Sequence, residues 1–126
     1  MKRITVALLA LGTLQLSQAQ TERDTIDVQV VDGKIAVSNE QYTRQAGQQT
    51  LWWRISTPGQ QFADDGVSFS PAGSHRCQAS DRNRLMRCDK TAEATAKRYS
   101  YVIRLVSTRS LQPSQPPQPD LWIQDE

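Results

Sequence analysis

The stretch Gln49-Thr50-Leu51-Trp52-Trp53-Arg54-Ile55 decides the fold, because its large apolar side chains fall on alternate positions. Successive side chains of a β-strand point to opposite faces, so Leu51, Trp53 and Ile55 share one face of a predicted strand. Trp52 belongs to the other face. An indole buries a large apolar area, which makes Trp53 the predicted centre of a core that other strands must cover.

Two further segments show the same alternation. Ile26, Val28 and Val30 alternate with polar residues, and Asp32-Gly33 follows at once. This dipeptide favours a tight primed turn, so residues 26–37 are predicted to form a β-hairpin. The segment Tyr99–Leu105 carries apolar residues on both faces, which is typical of a strand in the middle of a sheet.

Shorter elements are predicted from turn residues and composition. The polar segment 38–47 is expected to form a strap or a short strand, and Thr57-Pro58-Gly59 a type II turn. Asp64-Asp65-Gly66 is predicted to turn the chain before a brief strand at residues 67–69. Residues 91–97 are rich in alanine and lack an apolar stripe, so we expect one or two helical turns there or a simple crossing between sheets.

The end of the domain is dominated by proline. Residues 111–119 include four prolines, which predicts an extended connection that pairs in no ladder. Leu121-Trp122-Ile123 then predicts a last strand at the edge of a sheet. Short strands, frequent turns and no long helix together predict an all-β fold, a single β-sandwich.

The order of these elements resembles that of small exported bacterial proteins with cupredoxin-like or immunoglobulin-like Greek-key sandwiches. The resemblance lies in the Asp32-Gly33 hairpin, the tryptophan strand after Gly47, the late Tyr-x-Tyr strand at Tyr99 and the closing residues 120–123. Copper-binding members of the family use two histidines, a cysteine and a methionine. This chain has one histidine, so the resemblance implies the scaffold without a blue-copper site.

The first residues are predicted to be a secretory signal peptide. Lys2 and Arg3 precede an apolar run, and small residues before Gln20 predict cleavage after Ala19. The domain is then residues 20–126, periplasmic or secreted, and we expect no membrane insertion of the mature chain. The 15 basic and 13 acidic residues become equal in number once Lys2 and Arg3 are removed, so nucleic-acid binding is not predicted.

The two cysteines, Cys77 and Cys88, are predicted to form one disulfide in an oxidising compartment. On the chain-entropy view such a bond contributes about 3 kcal/mol of stability. The alternative is a metal-handling, copper-binding cupredoxin relative, in which His75 and Met86 join reduced cysteines around a soft metal ion.

The one local charge bias surrounds this cysteine pair. Arg82, Arg84 and Arg87 lie in or near the loop, and they are either a solvated face or a contact surface for an acidic partner. Trp52 is either covered by a second layer or exposed as a ligand platform. The predicted partner is an unknown envelope protein or an anionic polymer.

No catalytic or cofactor motif is present. The chain has one histidine and no nucleophile elbow, and Asp64, Asp65 and Asp81 are interpreted as solvated turn residues. The sequence therefore predicts a non-enzymatic binding or interaction module that needs no cofactor.

Overall fold

The computed structural model describes residues 25–109 and 113–126, and these residues form two β-sheets and no helix. The predicted all-β sandwich is therefore confirmed. The strands are β1 (Thr25–Val31), β2 (Lys34–Val37), β3 (Gln41–Arg44), β4 (Thr50–Ile55), β5 (Gln60–Ser70), β6 (His75–Ser80), β7 (Leu85–Lys90), β8 (Arg98–Ser107), β9 (Pro113–Ser114) and β10 (Leu121–Asp125).

The first sheet has the strand order β2-β1-β4-β7-β6, and the second has the order β3-β10-β8-β5 with β9 beside β8. The tryptophan strand β4 is central in the first sheet, parallel to β1 and antiparallel to β7. In the second sheet β8 lies between β10 and β5, as its two apolar faces predict.

Trp53 joins the two sheets. Its side chain is fully buried, and its ring centroid lies 5.3 Å from that of Tyr101 and 5.9 Å from that of Phe69, both in edge-on contacts. Both partner rings belong to the second sheet. Leu51 and Ile55 are buried on the same side of β4, so the predicted alternation is confirmed. Loss of a buried side chain of this size typically costs about 3–5 kcal/mol.

The two predicted turns that depend on positive φ angles are also present. Asp32 and Gly33 have φ values of 52° and 75°, as a primed hairpin turn between β1 and β2 requires. Gly59 has a φ of 83°, which matches the third position of a type II turn.

A disulfide links Cys77 to Cys88, as predicted, and the described residues contain no free cysteine. The two residues face each other across the antiparallel pair of β6 and β7. Cys88 is fully buried in the core. Because β6 is the outer strand of its sheet, the bond fastens that edge to β7.

The predicted turn at Asp64-Asp65-Gly66 is wrong, because β5 continues through these residues. They form a bulge: β5 takes five steps from Phe62 to Val67 where its partner β8 takes two. A bulge accommodates surplus residues while the strand remains paired on both sides. The polar side chains of this segment, which favoured a turn, are exposed in the bulge.

The proline-rich segment also differs from its prediction. Pro113 and Ser114 pair with β8, although no pairing was expected there. A proline has no N–H group to donate but retains its carbonyl, so it is tolerated at the first residue of a short strand. Farther along, the Gln118 side chain accepts from the Ile103 N–H (2.9 Å) and donates to the Ile103 carbonyl (3.0 Å), which takes the place of a strand residue.

The closing strand β10 does not lie at an edge as predicted. It is enclosed between β8 and the short polar strand β3, which pairs with it in parallel. Residues 91–97 cross from the first sheet to the second without a helix, which was one of the two expected outcomes.

The predicted signal peptide, residues 1–19, lies outside the described residues. Over 25–109 and 113–126, the chain contains no helix of the length and apolarity needed to cross a membrane.

The bulge in β5 gives a test of the fold. A methyl group at Gly66 would lie 2.6 Å from the Phe62 Cβ and 2.9 Å from the Ala63 carbonyl oxygen, so Gly66→Ala should lower the free energy of unfolding by about 2 kcal/mol or more. Gly47 is the control: its φ is 85° but no heavy atom lies within 4 Å, so Gly47→Ala should cost about 1 kcal/mol. Urea unfolding measures the free energy of unfolding of both variants. Equal losses of stability would contradict the claim that the bulge leaves no room for a methyl group at Gly66.

Candidate functional site

The turn between β6 and β7 has an unusual backbone. Three successive residues, Asp81, Arg82 and Asn83, have φ values of 52°, 57° and 60°. Aspartate and asparagine tolerate this left-handed conformation, whereas an arginine does so at a cost of about 1–2 kcal/mol. The turn therefore holds Arg82 in a conformation that its residue type disfavours.

Hydrogen bonds to both sheets hold this turn. The Ile55 N–H donates to the Arg84 carbonyl (2.9 Å), and the Arg84 guanidinium donates back to the Ile55 carbonyl through Nη2 (3.1 Å). The Phe62 N–H donates to the Asn83 carbonyl (2.6 Å). Because Ile55 belongs to the first sheet and Phe62 to the second, the turn is fixed from two sides.

A cleft of about 350 Å³ opens beside this turn. Its lining residues are Arg54, Ile55, Asp81, Arg82 and Arg84. Three of these residues are arginines and one is an aspartate, so positive charge is in excess. Over the described part of the chain, neither Arg54 nor Arg82 forms an ion pair.

The structure thus brings together two of the three predicted contact arginines, Arg82 and Arg84, and adds Arg54, which the sequence analysis did not select. The alternation of β4 places Arg54 on the outer face, two residues from Trp52. This outward position was the only indication in the nearby sequence that Arg54 could belong to a contact surface. Its closeness to the turn at residues 81–84 results from strand pairing, in which Arg54 is opposite Leu85.

The third predicted arginine, Arg87, lies farther along the outer face of the same sheet. It is directly opposite Trp52, and its guanidinium carbon lies 5.5 Å from the centroid of the Trp52 ring. Arg87 also donates to Asp89 through Nε at 3.2 Å, and its side chain is half exposed. Trp52 is partly buried, and the Arg87 guanidinium lies over its ring; its role as a ligand platform stays a prediction.

The residues of the predicted metal alternative are not brought together. His75 is opposite Lys90 in the β6–β7 ladder and Met86 is opposite Ala79, a separation of four steps, or about 13 Å along the strands. Met86 is buried in the core. The cysteines are joined to each other, and among the described residues no three histidine, cysteine or acidic side chains form a group suited to a metal ion.

His75 takes part in a hydrogen-bonded cluster instead. Nη1 of Arg44 lies 3.0 Å from Nε2 of His75, and Oγ of Ser74 lies 2.8 Å from Nδ1. An arginine only donates, so Nε2 accepts and the ring proton is on Nδ1, directed at Ser74. The imidazole also stacks on Phe69, with ring centroids 3.9 Å apart. The Nε2 lone pair that a metal ion would need already accepts a hydrogen bond from Arg44.

Charged residues complete this cluster. Arg44 is fully buried and donates through Nε to Asp125 at 2.6 Å, and Lys90 donates to the other Asp125 oxygen at 2.8 Å. Burial raises the pKa of Asp125, but the hydrogen bonds from Arg44 and Lys90 outweigh it and lower the pKa below its ordinary value. Arg44, Asp125 and Lys90 come from β3, β10 and β7, so the cluster connects the two sheets.

Burial, together with the positive charges of Arg44 and Lys90, lowers the pKa of His75 to about 4 against the opposing effect of Asp125. The cluster therefore contains a neutral imidazole at neutral pH.

We expect acid to destabilise the protein through this histidine. The unfolded pKa of about 6.5 exceeds the folded pKa of about 4, so the unfolded state binds more protons between these values. The contribution of His75 is complete above pH 6.5 and is lost as the pH falls toward 4. With allowance for its partial exposure, the loss is on the order of 1–2 kcal/mol.

Denaturant unfolding across this pH window measures the loss. His75→Gln is the matched control, because glutamine still accepts from Arg44 but does not titrate. Its stability should depend less on pH in the same window, while the protonation of Asp125 lies below it. A pH dependence equal to that of the unaltered protein would rule out His75 as its source.

Comparison with protein-family models and with curated proteins gives no match. The function of the chain therefore has to be inferred from its own residues and their geometry.

Proposed function

We propose that the protein is an exported, non-enzymatic binding module of the bacterial envelope that holds an anionic partner on its arginine surface. The arginine surface comprises Arg54, Arg82, Arg84 and Arg87. The observation that carries the proposal is the turn at residues 81–84, which presents Arg82 beside Arg54 and Arg84 in a disfavoured backbone conformation.

Backbone strain at an exposed turn supports a binding role. A left-handed residue other than glycine, asparagine or aspartate persists only when its surroundings enforce it, and such residues cluster at functional sites. Here Ile55 and Phe62 enforce it through hydrogen bonds. Glycine or asparagine would fit the position of Arg82 better, so the arginine contributes its side chain rather than stability.

The distribution of charge supports an anionic partner. Three arginines of the described chain pair with carboxylates: Arg44 with Asp125, Arg87 with Asp89, and Arg104 with Asp65. Arg54, Arg82 and Arg84 pair with no carboxylate of the described chain, which leaves their charges available to an anionic partner. Guanidinium groups of this kind bind anionic groups through paired N–H donors.

Two features support export. The predicted signal peptide directs the chain out of the cytoplasm, and a disulfide such as Cys77–Cys88 persists mainly in an oxidising compartment. The absence of a catalytic motif in the sequence supports binding rather than catalysis.

Binding to defined anionic polymers tests the proposal. Polyphosphate and poly-glutamate, each fluorescently labelled, are titrated with residues 20–126, and the fluorescence anisotropy gives the affinity. The double variant Arg54→Gln and Arg87→Gln should weaken binding about tenfold or more to whichever polymer binds, and flatten its dependence on salt.

The matched control removes the same charge from the other sheet. Arg98→Gln and Arg104→Gln alter two exposed arginines of β8. At about 0.15 M salt they should change the affinity by less than about twofold, because charges beyond the Debye length of about 8 Å are largely screened. Equal weakening by both double variants, or no binding of either polymer at low salt, would overturn the proposal.

A further inference from the structure

The cleft beside the turn has a more specific chemistry than the arginine surface as a whole. Its three guanidinium groups come from different places: Arg54 from β4, Arg82 from the middle of the turn and Arg84 from its end. Resting on the proposed function, we propose that this cleft binds a tetrahedral oxyanion, the phosphate group of the partner.

The number and direction of the donors favour a tetrahedral group. Each guanidinium offers a planar fork of N–H donors, and three forks around one cleft can reach three or four oxygens that point in different directions. A carboxylate offers only two oxygens in one plane. It can satisfy one fork fully and leaves the other two without partners.

The charge of the cleft favours a dianion. Three guanidinium groups and the Asp81 carboxylate leave two positive charges in excess. A phosphate monoester carries about −1.5 to −2 charges near pH 7, whereas a carboxylate carries one. Because the cleft keeps two positive charges in excess, a doubly charged group gains more from it than a singly charged one does.

Preorganisation also distinguishes this cleft from an ordinary set of surface arginines. Arg84 is held at the Ile55 carbonyl through Nη2, and the backbone of Arg82 is fixed by the hydrogen-bonded turn. Because its side chain is already positioned, Arg84 loses less side-chain freedom on binding, which raises affinity. Ile55 contributes its backbone to the cleft, since its side chain is buried in the core.

Nuclear magnetic resonance of the arginine Nε–Hε groups tests the inference. Inorganic phosphate, sulfate and acetate are titrated separately into residues 20–126 at constant ionic strength. Phosphate and sulfate should give saturable shifts at Arg54, Arg82 and Arg84, with acetate binding about tenfold more weakly. Lowering the pH should weaken the binding of phosphate, because phosphate gains a proton, and should leave the binding of sulfate unchanged.

Two single variants locate the site. Arg54→Gln should weaken phosphate binding about fivefold or more, whereas Arg76→Gln should leave it unchanged, because Arg76 is exposed on β6 outside the cleft. Neither side chain is part of the core, so both variants should fold.

The affinity for a polyphosphate chain shows whether the bound phosphate belongs to a polymer or is free phosphate. Tighter binding of the chain than of inorganic phosphate, compared per phosphate group, indicates a polymeric ligand, and equal binding indicates free phosphate.

Acetate shifts as strong as those of phosphate, or shifts spread without saturation over all arginines, would overturn the oxyanion cleft. Polymer binding that persists in that case would leave the proposed binding function standing. Saturable phosphate binding without any polymer binding would remove the proposed function and leave the chemistry of the cleft.

Discussion

The burial of Trp53 between the sheets is the constraint on which the rest of the molecule depends. Its indole contacts Tyr101 and Phe69 of the opposite sheet, and no other inward-facing side chain of β4 is as large. Once Trp53 points inward, the period of two along a strand turns Trp52 and Arg54 outward. The outward position of Arg54 in the arginine surface is thus a consequence of the same alternation that builds the core.

A second constraint acts at the turn between β6 and β7. Strand pairing and the disulfide hold β6 against β7, and hydrogen bonds from Ile55 and Phe62 fix the turn that joins them. These contacts stabilise a left-handed conformation at Arg82 that the residue would not adopt alone. Stability from the sandwich therefore offsets strain at the turn. We interpret that strain as the physical basis of the proposed binding surface.

Local patterns predicted the parts of the fold that local physics determines. The Trp53 strand, the Asp32-Gly33 hairpin and the cysteine pair all follow from residues close together in sequence, and all are confirmed. The sequence predicts a turn where β5 has a bulge, because the same polar residues are compatible with a turn and with a bulge. The difference lies in whether β8 is present to pair on both sides, which depends on residues some forty positions away.

The candidate site was only partly predictable for the same reason. Arg82 and Arg84 were selected by local charge, but Arg54 joins them only because β4 pairs with β7. Arg44 was not selected at all, because an arginine is rarely buried and its partners Asp125 and His75 are distant in sequence. His75 was assigned to a metal alternative from its residue type, whereas its nitrogens are used by Arg44 and Ser74.

The most direct test of the central claim, that Arg82 is kept in a strained turn for its side chain, measures stability and polyphosphate affinity together in Arg82→Asn. Asparagine tolerates the left-handed conformation, so the free energy of unfolding should rise by about 0.5–1 kcal/mol. The affinity should fall about fivefold or more, because a guanidinium is lost from the cleft. A variant that is less stable, or that binds polyphosphate as tightly as the unaltered protein, would contradict this account.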